Sequence, residues 1–127
     1  MTSNRRILIV DDEPNIVLSL EFLLGKAGYE VVVARDGESA LAAAASSQPA
    51  LVVLDLMLPD IDGYEVCRRL RQDPATAAVR IVVLTARGRD AERVRGLEEG
   101  ADAYVTKPFS TRELIATVNE LLGRSAP

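Results

Sequence analysis

Residues 51–55 read Leu51-Val52-Val53-Leu54-Asp55, four apolar side chains in succession and then a carboxylate. A run this short and this uniformly apolar is the pattern of a strand buried on both faces, as in a parallel sheet covered by helices. The pattern recurs in Ile7-Leu8-Ile9-Val10, which leads into Asp11 and Asp12, and in Ile81-Val82-Val83-Leu84, which leads into Thr85. A weaker fourth run, Ala103-Tyr104-Val105-Thr106, leads into Lys107 and Pro108. In an open parallel sheet the carboxyl ends of the strands point one way, and ligands bind there. The sequence therefore predicts three carboxylates, a hydroxyl and an ammonium gathered at one sheet edge.

Segments of helical period separate the strands. Pro14 suits the first turn of a helix, and Val17, Leu20, Leu24 and Ala27 fall on its inner face before Gly28 closes it. Val31 to Ala34 reads as a second strand, followed by a helix with Ala40, Leu41 and Ala44 inward that stops before Pro49. After Asp55 a long loop passes Leu58-Pro59-Asp60 to Asp62-Gly63. A helix with Val66, Cys67 and Leu70 inward then runs to Asp73-Pro74. Ala91, Val94, Leu97 and Ala101 mark a fourth helix, closed around Gly100. Ser110 caps a fifth, with Glu113 completing a capping box and Leu114, Ile115, Val118, Leu121 and Leu122 inward. Right-handed crossovers between such units make a doubly wound α/β fold: a five-stranded parallel sheet, order 2-1-3-4-5, with five helices. The topological switch point then lies between strands one and three, which sets the Asp11-Asp12 turn beside the Asp55 turn.

The length of 127 residues fits one domain spanning 1–127, with its core at about 5–123 and no effector domain in the chain. No apolar stretch approaches the roughly 20 residues that cross a bilayer, and no secretory signal follows the basic start. The expected location is cytoplasmic, with no membrane partner. The lone Cys67 reads as a small core residue, and one cysteine with no histidine in the chain speaks against a zinc site. A net charge of −4 speaks against direct nucleic-acid binding. The arginines Arg68, Arg69, Arg71 and those from Arg87 to Arg95 read as solvated helix faces.

Taken singly, each polar residue has an ordinary use. Asp11 and Asp12 fit helix caps, Asp55 fits a turn, Thr85 a strand end and Lys107 the surface. Together they form a site. Crowded carboxylates repel one another unless a cation joins them, and hard oxygen ligands in an open cleft suit Mg²⁺. A cation beside a lysine is the equipment of phosphoryl transfer, in which a carboxylate can itself be the nucleophile.

The motifs Ile9-Val10-Asp11-Asp12-Glu13, Val53-Leu54-Asp55-Leu56-Met57-Leu58-Pro59-Asp60-Ile61-Asp62-Gly63, Leu84-Thr85-Ala86 and Tyr104-Val105-Thr106-Lys107-Pro108-Phe109 resemble the signatures of bacterial two-component response-regulator receiver domains, a flavodoxin-like fold. The resemblance spans residues 5 to 123. It implies that Asp55 accepts a phosphoryl group from a histidine kinase or histidine phosphotransfer protein. It implies that Asp12, Asp55 and the Met57 backbone carbonyl ligate Mg²⁺, or Mn²⁺ in its place, with Asp11 acting through water. It implies that Thr85, the Ala86 amide and Lys107 hold the phosphate oxygens, and that the Lys107-Pro108 bond is cis. Thr85 and Tyr104 are then the switch, and the surface of the fourth helix, fifth strand and fifth helix carries the output to an effector protein or domain. The domain is on this reading a phosphoprotein of signal transduction and not an enzyme with a separate substrate.

The resemblance also bears on assembly and lifetime. Arg93, Glu98, Asp102 and Glu113 fit the charge pattern of relatives that form a homodimer on phosphorylation, whereas Ala103, Thr117 and Asn119 interrupt it. Met57 and Arg87 stand where residues tune attack of water on the acyl phosphate, and their bulk predicts a longer-lived signal. Two rival classes fit less well. A haloacid-dehalogenase-like hydrolase would carry a second Asp where Met57 stands, together with a cap insertion. A flavodoxin-like cofactor module would need a phosphate-cradling loop in place of the acidic Asp11-Asp12-Glu13-Pro14.

Overall fold

The computed structural model describes residues 5–85 and 100–123. Five strands, β1 (Arg6–Val10), β2 (Glu30–Ala34), β3 (Leu51–Asp55), β4 (Arg80–Thr85) and β5 (Ala103–Thr106), alternate with helices α1 (Pro14–Lys26), α2 (Gly37–Ser47), α3 (Gly63–Gln72) and a C-terminal helix (Thr111–Leu121). The sheet is wholly parallel and ordered β2-β1-β3-β4-β5, as the sequence predicts. The expected helix at Ala91, Val94 and Leu97 lies outside the described residues.

The uniformly apolar strands are explained by the two layers they feed. Leu8, Val10, Val52, Leu54, Ile81 and Val83 pack against Ala40, Ala44, Val66, Cys67 and Leu70 of α2 and α3. The alternate residues Ile7, Ile9, Leu51, Val53, Val82 and Leu84 pack against Leu20, Leu24, Leu114 and Val118 of α1 and the C-terminal helix. Period two is present, but with both faces covered no polar residue marks it.

Helix ends follow local chemistry. Pro14 opens α1, and Gly28, at φ +98°, follows its end. Ala27 is exposed, contrary to expectation, because α1 stops at Lys26 and Ala27 is the residue after its last turn. Asp62 Oδ1 accepts from Glu65 N in α3, and Ser110 Oγ accepts from Glu113 N in the C-terminal helix at 2.9 Å. In that last helix Leu114 and Val118 are fully buried, while Ile115, Leu121 and Leu122 are half-buried at its flank.

Arg71 departs from the solvated face expected of it. Its guanidinium donates to Gly100 O from Nε at 3.0 Å and Nη2 at 2.8 Å, to Ala77 O at 2.9 Å and to Val79 O, and it pairs with Asp102 Oδ2 at 2.9 Å. The last turn of α3 faces the chain as it enters β4 and β5, and a planar fork of five donors fits the carbonyls gathered there. Asp102, placed by the sequence in the charge pattern of dimer-forming relatives, has partners within the chain: it also accepts from Ile81 N at 2.8 Å and meets Arg80 at 3.5 Å.

Candidate functional site

Register brings the polar strand ends together. Val10 is opposite Leu54, Asp55 is opposite Leu84, and Thr85 is opposite Thr106. The residues one step farther along β1 and β5 are therefore Asp11 and Lys107. Leu56 N donates to Leu84 O at 3.2 Å, and Lys107 N to Thr85 O at 2.6 Å, which continues the backbone pairing past the strand ends. The Lys107-Pro108 peptide is cis, as the family resemblance implies.

One carboxylate oxygen from each of Asp11, Asp12 and Asp55 lies within 4.8 Å of the others. Asp11 and Asp55 are buried and Asp12 is exposed, so the cluster opens on one side. Lys107 Nζ stands 3.3 Å from Asp11 Oδ2, 3.7 Å from Asp55 Oδ2 and 3.8 Å from Glu13 Oε1. Asp11 Oδ1 accepts from Glu13 N at 2.9 Å, an Asx turn leading into α1; the cap position of that helix is Glu13, so neither Asp11 nor Asp12 serves as the helix cap the sequence left open to them. Asp55 Oδ1 accepts from Met57 N at 3.1 Å, while the Met57 side chain is exposed.

The electrostatics follow from this crowding. Burial, with the neighbouring charges of Asp11 and Asp12, pushes Asp55 up to about 6, against the Met57 amide and Lys107, which pull it down. Three carboxylates and one ammonium leave a formal excess of two negative charges, the complement of a divalent cation. Oxygen donors, open geometry and charge all fit Mg²⁺, which holds a few carboxylates and keeps its remaining waters.

Thr85 is buried at the end of β4, within the same edge. Tyr104, on β5, is half-buried against the apolar layer of α2 and α3. Ala86, Arg87, Arg93 and Glu98 lie outside the described residues. Sequence reasoning missed the approach of Glu13 to Lys107, although its place directly after the acidic pair was a signal. It also missed Asp60, which nothing local marks, and whose carboxylate accepts from two backbone amides of α2.

The fold and this edge define a doubly wound domain with an acidic, lysine-bearing site at its topological switch point. The response regulator receiver domain profile matches residues 7–119, and the chain belongs to that family, whose general role is to accept a phosphoryl group in two-component signalling. It is 50% identical over 122 residues to the alkaline phosphatase synthesis transcriptional regulatory protein PhoP of Bacillus subtilis, covering 96% of this chain and 50% of that protein. The chain spans about half the length of the curated relatives it matches. Among solved structures, the CheY-like receiver domain protein of Methanospirillum hungatei superposes with a TM-score of 0.88 at 32% identity, covering 95% of each chain. The receiver domain of sensor histidine kinase PA1611 from Pseudomonas aeruginosa, which has a magnesium ion in its active-site cleft, superposes with a TM-score of 0.87 at 30% identity, covering 95% and 99%. Among the described residues no helix is long and apolar enough to cross a membrane.

Proposed function

We propose that this chain takes a phosphoryl group from a phosphohistidine of a kinase or phosphotransfer protein onto Asp55. A carboxylate oxygen of Asp55 attacks phosphorus, an O–P bond forms, the N–P bond breaks, and the electron pair returns to the imidazole of the donor. Asp11, Asp12, Asp55 and the Met57 carbonyl would hold Mg²⁺, which when bound neutralises the oxygens of the transferring group. Lys107, the Thr85 hydroxyl and the Ala86 amide receive the phosphate oxygens, each supplying positive charge or a donor where negative charge arrives. The protein modifies itself and turns over no separate substrate.

The observation that carries this reading is the meeting of three carboxylates with the Lys107 ammonium at one sheet edge. A carboxyl group poised near 6 is ionised, and so nucleophilic, at neutral pH. Thr85 and Tyr104 carry the change outward, Thr85 by moving toward the phosphate and Tyr104 by rotating inward behind it. The output surface passes to an effector in the cytoplasm, and the relatives' names support a transcriptional one. Incubation with acetyl phosphate and Mg²⁺, followed by intact-mass measurement, tests the reading. The parent should gain the mass of one phosphoryl group and Asp55→Asn none; labelling of both, or of neither, would refute it.

A further inference from the structure

Asp60 lies on the exposed loop between β3 and α3, yet its carboxylate reaches a different helix. Oδ1 accepts from Gly37 N at 2.7 Å and Oδ2 from Glu38 N at 2.9 Å. The opening turn of α2 has backbone donors that no carbonyl of its own helix can take. Asp36 satisfies that of Ser39, at 2.8 Å through its side chain, while its carbonyl accepts the first regular helical bond, from Ala40 N at 3.0 Å. The loop thus supplies the caps that α2 lacks. These are charge-assisted bonds at the positive end of a helix dipole, and they hold the carboxyl of Asp60 down to about 2.

Apolar contact closes the same joint. Ile61 occupies the space that a side chain at Gly37 would need, so the loop lies directly on the start of α2. The base of the loop is closed by Gly63 N to Leu56 O at 3.1 Å, and its start is held by Met57 N to Asp55 Oδ1 at 3.1 Å. Met57 is held at its amide by Asp55, and the chain beyond its carbonyl runs on to the Asp60 anchorage.

The geometry points to Asp60 as a positioning residue: by fastening the loop to α2 it holds the Met57 backbone beside Asp55 and thereby sets the affinity of the acidic cluster for a divalent cation. This rests on the reading of the Met57 carbonyl as a ligand. Outer-shell partners that orient metal ligands change affinity by about 10–100-fold when removed, and a loop closed at its base but unfastened from α2 would lose part of that order.

Mn²⁺ binding followed by electron paramagnetic resonance, with amide hydrogen exchange across 56–61, tests it. Asp60→Ala should bind Mn²⁺ about tenfold more weakly than the parent and exchange faster in the loop, with Asp60→Asn, which keeps one acceptor oxygen, between them. Asp36→Ala removes a cap from the same helix without releasing the loop; it should lower the melting temperature comparably and bind Mn²⁺ as the parent does. Parent-like affinity in Asp60→Ala, or an equal loss in Asp36→Ala, would overturn the inference. If Asp60→Ala does not fold, the ordering of Asp60→Asn against Asp36→Ala decides the question. A parent that takes up no Mn²⁺ would instead remove the proposed site itself.

Discussion

The Lys107 ammonium stands 3.3 Å from Asp11 Oδ2, nearer than to Asp55 Oδ2 at 3.7 Å. The lysine thus leans on the carboxylate that is not the proposed acceptor, and it already supplies positive charge to the cluster. An entering divalent cation meets that charge as a repulsion.

Lys107→Met should accordingly strengthen Mg²⁺ binding. A unit charge at this range is worth about 1–2 kcal/mol after screening at the cluster's open edge, or about tenfold in affinity. Isothermal titration of parent and variant checks this, and an unchanged or weaker affinity would contradict the arrangement. The variant should also accept phosphate more slowly from acetyl phosphate, since it lacks a cation for the arriving oxygens.

Asp55 gives a pH dependence of definite sign. Its carboxyl is raised from 3.8 to about 6, chiefly by burial, so the folded state keeps this proton to higher pH than the unfolded chain does. Ionisation of Asp55 therefore costs stability as pH rises from about 4 to about 6, and the cost is complete above that window. At 1.36 kcal/mol per pH unit the full cost is about 3 kcal/mol. Melting curves should show Asp55→Asn gaining on the parent between pH 4 and pH 6, then keeping a constant advantage. Saturating Mg²⁺ at pH 7.5 should shrink that advantage. A difference that is flat with pH would refute the assignment.

Gly63 is held by sterics and not by a turn. A Cβ there would sit 2.7 Å from Leu56 Cα and 2.8 Å from Asp55 O, backbone atoms that cannot rotate aside. Gly63→Ala should cost on the order of 3 kcal/mol by overpacking and should slow phosphorylation, because the strain falls on Asp55, the proposed acceptor. Chemical denaturation and intact-mass kinetics measure the two effects.

Arg71→Ala should destabilise the fold by about 2–3 kcal/mol, a fall in Tm on the order of 10 °C, through loss of charge-assisted bonds to Gly100 and Ala77 and of the pair with Asp102. Arg71→Lys should recover little of this, since an ammonium lacks the fork. Mg²⁺ affinity should change less than twofold in both, as the guanidinium serves the approach to β4 and β5 and not the acidic edge.

The sheet was legible because strands covered on both faces leave uninterrupted apolar runs, and parallel topology then puts Asp11, Asp55, Thr85 and Lys107 at one edge. The carboxylate cluster followed from that topology alone. The capping of the last helix by Ser110 was legible too, being a contact within four residues. Asp60 and Arg71 were not, for a common reason. Both satisfy backbone groups far along the chain, and a polar residue on a loop or helix looks the same whether its partner is water or a distant amide. Asp102 shows the converse: its charge was visible, but its commitment to Arg71, Arg80 and Ile81 N arises only when β4 and β5 are laid side by side.

Sharing of a single ammonium among Asp11, Glu13 and Asp55 has an energetic corollary. If one anion is deleted, the lysine settles more closely on those that remain, so each single substitution understates the pair it breaks. The stability change of a paired substitution, Asp11→Asn with Lys107→Met for example, should therefore depart from the sum of the separate effects. The edge behaves as one electrostatic unit whose members substitute for each other.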